Sequence, residues 1–122
     1  MDKPIPTVDT RCHLVLTTLP GRDAAQAIAR TLVEERLAAC VQILDGLLSI
    51  YRWEGRVDES AECQLVAKTT PAMAATLVDR LRALHPYELP EILSLDAAAS
   101  DAYATWLQAE TRRPADAAGD VR

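Results

Sequence analysis

Two long extended stretches, 39–53 and 56–69, meet at Glu54-Gly55, and the rest of the chain must fold around the ribbon they make. The first stretch carries Val41, Ile43, Leu44, Leu47, Leu48, Ile50, Tyr51 and Trp53, the bulky apolar types that suit a pleated strand. Asp45-Gly46 interrupts it. Such a pair often turns a hairpin, but apolar residues continue on both sides, so we read a bulge or bend. The second stretch alternates with period two: Cys63, Leu65, Ala67 and Thr69 take one face, Glu62, Gln64, Val66 and Lys68 the other.

Shorter elements flank the ribbon. Residues 11–18 read as a strand, closed by Pro20-Gly21. Asp23 is the expected cap of a helix over 23–36. Its apolar stripe is Ala25, Ile28, Ala29, Leu32 and Val33, with Arg30, Glu34 and Glu35 on the wet side. Thr70 as cap and Pro71 at the first helical position open a second helix, which buries Ala74, Leu77, Val78, Leu81 and Leu84. His85-Pro86 stops it, since proline disfavours helix in the residue before it. Residues 91–98 form a fourth strand. Ser100 or Asp101 caps a short third helix through Tyr103, Trp106, Leu107 and Glu110. The domain therefore spans 11–113, with a loose lead-in over 1–10 and a frayed tail over 114–122. The order βαββαβ predicts an α+β, ferredoxin-like sandwich with a long β-hairpin, both main helices on one side of the sheet, and an extra C-terminal helix.

A half-wet sheet should carry polar residues on one side. These strands do not. Leu14 and Leu16 oppose Val15; Leu47, Tyr51 and Trp53 oppose Leu48 and Ile50; Ile92 sits beside Leu93 and Leu95. Two helices cover one face, and the third is too short to cover the other. A large bare apolar face marks an interface, and free strand edges invite a second chain. The expectation is a homo-oligomer with sheets packed around a symmetry axis.

Composition narrows the function. The chain has 122 residues, one domain's worth, with 49% hydrophobic residues and no Phe, so its core is aliphatic. A net charge of −5 gives no broad footprint for phosphates and argues against nucleic acid. No apolar run reaches the roughly 20 residues of a membrane helix, and the first residues do not read as a secretory signal. Cys12, Cys40 and Cys63 are odd in number and widely spaced, the pattern of free thiols in a reduced, cytoplasmic protein.

Few residues carry chemistry. No nucleophile, zinc-protease or phosphate-loop motif occurs, so the chain reads as a non-enzyme. His13 lies within a strand and reads as structural. His85 ends a helix, where the dipole favours an imidazolium. Cys40, His85 and Glu91 offer soft, intermediate and hard metal donors, whereas Cys12 and Cys63 read as small buried groups. Lys68 either neutralises an anion in a cleft or pairs with Glu62 or Glu91. Trp53 and Tyr87 either line a cleft or pack between subunits.

Tyr51-x-Trp53-Glu54-Gly55, Glu62-x-Gln64, Lys68-Thr69-Thr70 and His85-Pro86-Tyr87-x-x-Pro90-Glu91-Ile92 follow one another in order, after Ala38-Ala39-Cys40-Val41 and before Trp106-Leu107. Together, over about residues 11–113, they resemble the CutA divalent-cation-tolerance family. The resemblance implies a cytoplasmic homotrimer of ferredoxin-like subunits, associated with tolerance to divalent metals and able to bind copper or another divalent cation. Cys40, His85 and Glu91 match its metal contacts. Thr17 and Leu84 stand where some members carry cysteine and histidine. The implied trimer is similar to PII-like proteins, which bind small effectors in intersubunit clefts; here the ligand cleft would use Trp53, Glu62, Lys68 and Tyr87. A scaffold for a partner protein is the remaining alternative.

Overall fold

The computed structural model of the chain describes residues 10–113. The lead-in over 1–10, apart from Thr10, and the tail over 114–122 lie outside them. Eight elements follow in order: β1 (Arg11–Leu19), α1 (Arg22–Glu34), β2 (Cys40–Trp53), β3 (Arg56–Thr69), a 3-10 turn (Pro71–Met73), α2 (Ala74–Leu84), β4 (Ile92–Ala98) and α3 (Asp101–Glu110). The strands form one antiparallel sheet in the order β2-β3-β1-β4.

The ribbon is as long as the sequence suggests. Glu54 (φ 48°) and Gly55 (φ 80°) both take positive φ, the demand of a tight hairpin turn whose twist matches the strands it joins. At Asp45-Gly46 the register slips between Leu44 and Leu47, so the interruption is a bulge, with Gly46 at φ 78°. Two side chains pin it: Asp45 accepts from the Cys63 thiol (2.8 Å) and from Arg22.

Helix starts differ from the expectation. α1 is capped by Gly21, with no side-chain bond. Asp23 instead sits in the first turn, where its charge still favours the dipole. Thr70 likewise makes no side-chain cap, and Pro71 opens a 3-10 turn before α2 proper begins at Ala74. Ser100 is the one helix cap that forms as expected, accepting from the Tyr103 N–H. α1 ends two residues early because Arg36 adopts φ 59°. Its N–H then donates to Val33 O and that of Leu37 to Leu32 O, closing the last turn. Val33, although inside the helix, faces solvent at 40% exposure and is not part of the buried stripe.

Directly paired residues share a face. Val15, Leu65 and Ala67, all 0% exposed, join Leu19 and Cys63 under Ile28, Leu32, Leu77 and Leu81 of the two long helices. The opposite face carries Leu14, Leu16, Val66, Leu93 and Leu95, in neighbouring register. There α3 covers only one end, and Leu93 and Leu95 remain 52% and 49% exposed. The bare apolar face expected from the strands is present.

Candidate functional site

β1 leaves β3 at the pair Leu19–Cys63, and beyond it β2 and β3 have only each other. The loop from His85 to Glu91, which joins α2 to β4, runs beside this overhang. The two enclose a cleft of about 620 Å³. From the ribbon come Ser49, Tyr51, Trp53, Ser60 and Glu62; from the loop come Tyr87, Glu88, Leu89 and Glu91. The ribbon residues converge because Ser49 pairs with Ser60 and the alternation keeps Tyr51, Trp53 and Glu62 on that side. Tyr87 donates its hydroxyl to Glu62 Oε2 (2.7 Å), and the Tyr51 and Ser60 hydroxyls share a bond of 2.7 Å. Burial first, and the Glu62 carboxylate second, hold the Tyr87 phenol above its ordinary range, so it stays a neutral donor.

His85 lies beneath this cleft, 8% exposed, its ring 5.0 Å from that of Tyr87. One neutral tautomer satisfies every contact. Nε2–H faces the Thr18 carbonyl (3.0 Å) and Thr17 Oγ1 (2.9 Å), while Nδ1 accepts the Tyr87 N–H (3.1 Å). Thr17 Oγ1 passes the chain on, donating to the Glu91 carbonyl (2.6 Å). The helix C-terminus was expected to favour an imidazolium. Burial wins instead and lowers the His85 pKa, against smaller opposing effects of the Thr18 bond and Glu62. His85 therefore works as a strut that holds the loop to the end of β1.

The sequence-predicted residues divide into two groups. Trp53, Glu62, Tyr87 and Glu91 meet at the cleft. Cys40 and Lys68 do not. They pair with each other near the other end of the ribbon, beneath α3. Lys68 Nζ stands 5.9 Å from the centre of the Tyr103 ring, and among the described residues it has no ion pair with Glu62 or Glu91. Burial, then the Cys40 and Cys12 thiols, raise the Tyr103 pKa. Cys12 and Cys63 are buried as expected, and the Cys63 thiol, bonded to Asp45, is held protonated. His13 is the structural residue expected, its Nδ1 2.8 Å from Asp96 Oδ1 and its Nε2 bonded to Ser94.

Among the described residues no three His, Cys, Asp or Glu side chains group as metal ligands, and the Cys12 and Cys40 thiols stand by Tyr103, away from the cleft. Both His85 nitrogens are already engaged. The side-chain donors at the cleft are oxygens, which suit harder cations than copper. Sequence reasoning missed Thr17, Ser49, Tyr51, Ser60 and Glu88. Ser49, Tyr51 and Ser60 carried a signal, since counting by twos from Trp53 and Glu62 reaches all three.

Known proteins share this architecture. Residues 13–110 match the family described as CutA1 divalent ion tolerance protein. The divalent-cation tolerance protein CutA of Thermus thermophilus is 50% identical over 100 residues, 81% of this chain and 97% of that protein. The chloroplastic protein CutA of Arabidopsis thaliana is 39% identical over 100 residues, 81% of this chain and 55% of that one. Among solved structures, the divalent cation tolerance protein of Thermus thermophilus superposes with a TM-score of 0.78 at 48% identity, covering 83% of this chain and 99% of the other. CutA from Xylella fastidiosa reaches 0.80 at 40%, covering 83% and 98%. Matched across its sheet, its helices and the ribbon that builds the cleft, this chain belongs to the CutA1 divalent ion tolerance family.

Proposed function

We propose that the protein is a cytoplasmic homotrimer of ferredoxin-like subunits that acts in divalent-cation tolerance by binding copper or another divalent cation, without catalysing a reaction. The bare face around Leu93 and Leu95 carries this reading. Water contact there is costly at roughly 25 cal/mol per Å², and sister copies would remove it. The strand order supports the ferredoxin-like layout, and no helix among the described residues is long and apolar enough to cross a membrane. Of the metal set, Glu91 already faces the cleft. Cys40 would have to join from a neighbouring subunit, and His85 would have to give up the Tyr87 N–H.

Light scattering tests the assembly: the expected mass is three times 13.3 kDa, and 13.3 kDa alone refutes it. Copper titration of the reduced protein tests the site, with Cys40→Ser, His85→Ala and Glu91→Gln in parallel. Binding weakened by Glu91→Gln supports a site at the cleft. Binding unaltered by all three removes these residues from it. A second reading, a PII-like sensor of a small molecule, rests on the cleft's size, which falls within the roughly 300–1,000 Å³ of ligand pockets. The alternative of a partner-binding scaffold predicts copurification of one protein and indifference to metals.

A further inference from the structure

The cleft between the ribbon overhang and the 86–91 loop has an unusual lining for a metal site. Three aromatic rings (Tyr51, Trp53, Tyr87) share it with three carboxylates (Glu62, Glu88, Glu91), and among the described residues no lysine or arginine lines it. We infer that this cleft binds an alkylated organic ammonium ion, in addition to any metal. The inference rests on taking the cleft as the ligand site in the proposed function, and it names the class of ligand.

Size, surface and charge all bear on the choice. A bare divalent ion needs about six oxygens at 2.0–2.6 Å, and no such grouping of acidic side chains exists among the described residues. A cavity of about 620 Å³ suits a molecule. Aromatic faces attract a cation through the ring quadrupole, and best when the cation carries alkyl groups that gain by leaving water. Trp53, the strongest such ring, is 47% exposed and free to receive one. Two of the three rings are held in place, Tyr87 by Glu62 and Tyr51 by Ser60. The three carboxylates set negative charge beside the rings, and Glu62 spends only one oxygen on Tyr87. An anionic ligand would meet three like charges. Within the chain, Lys68 stands under α3 and does not line the cleft.

The test uses the whole chain, freed of metal with EDTA, and tetramethylammonium chloride as the probe. The chain has two tryptophans, so Trp106→Phe leaves Trp53 as the reporter. Tetramethylammonium is exchanged for sodium at constant ionic strength, which removes screening as a cause. The expected result is a saturable change in Trp53 emission, with the midpoint raised at least tenfold in the Glu62→Gln, Glu91→Gln double variant. Calorimetry on the wild-type chain should return the same midpoint. A change no different from that given by sodium overturns the inference, as does saturation that ignores the double variant. A trimer that binds copper but ignores tetramethylammonium sinks this inference alone. A monomer that binds tetramethylammonium and no copper sinks the proposed assembly and metal site instead.

Discussion

The two faces of the sheet are made from the same residue types and have opposite fates. On one, Val15, Leu65 and Ala67 are sealed by α1 and α2. On the other, Leu14, Leu16, Val66, Leu93 and Leu95 lie at the directly neighbouring positions, and α3 shelters only the end near Lys68 and Cys12. The first face is satisfied by local chain. The second is apolar without any cover the subunit can supply. In β1 and β3 the odd-numbered residues therefore serve the core while the even-numbered ones build the bare face, because side chains alternate with period two.

The sharpest way to break that comparison is to damage each face in turn. Leu65→Ala, at a position with no exposure, should lower subunit stability by about 2–5 kcal/mol, through lost transfer free energy and the cavity left behind. Urea unfolding measures it, and the oligomeric mass of the folded fraction should not change. Leu95→Asp should act the other way. A carboxylate on the bare face remains hydrated in the free subunit and must be stripped of water in an assembly. The expected outcome is a fall in mass to 13.3 kDa by light scattering, with far-UV dichroism close to that of the parent. If Leu95→Asp unfolds the chain as Leu65→Ala does, the two faces are not separable and the division of labour is wrong.

A smaller effect separates the cleft floor from both faces. His85 has its pKa lowered by burial, so the unfolded chain takes up a proton near the ordinary histidine pKa of about 6.5, while the native chain resists. Stability should therefore be fully present above about pH 6.5 and fall as the pH drops below it. His85→Gln removes this source of pH dependence, with His13 retained in both proteins as the control. Equal slopes between pH 7 and pH 5 in the two proteins would show that His85 is not the group responsible.

The same division decides what could be read from sequence. Elements whose pattern repeats were legible: the alternation over 63–69, the stripe from Ala25 to Leu32, the bulge at Asp45-Gly46 and the reversal at Glu54-Gly55 all reflect local periodicity or local dihedral demands. Helix starts were less so, because Gly21 and Asp23, or Thr70 and Ala74, compete within one turn and the tertiary fit decides. The site was the hardest part. Cys40, His85 and Glu91 look like one set of metal donors when only residue types are compared, but register places Cys40 opposite Lys68 at one end and Glu91 beside the overhang at the other. No spacing along the chain encodes which end of a strand a later loop will reach. Nor does any motif announce that both nitrogens of His85 will be spent on backbone and threonine.

The smallest expected effect lies on the helical side, at a two-pronged ion pair. Arg80 of α2 donates to both oxygens of Glu35, at 2.9 and 2.8 Å. These bonds, foremost, hold the Glu35 carboxyl below its ordinary range, against a smaller opposing effect of burial. A depressed carboxyl pKa stabilises the fold above the unfolded value and loses that contribution as pH falls through the folded one. The side chains are 39% and 33% exposed, so solvent screening limits the pair to about 1 kcal/mol or less. Glu35→Gln should thus cost no more than that at pH 7 in low salt, less in 1 M salt, and nothing at a pH below the folded carboxyl's titration. Glu35 was read as a solvated residue, yet it ties the end of α1 to α2 and, through its carbonyl, to Arg112 beyond α3. If the variant lost several kcal/mol at pH 7 and recovered them in acid, the helices would depend on this pair far more than on Ile28, Leu32, Leu77 and Leu81. The sealed face would then owe its closure to charge and not to burial.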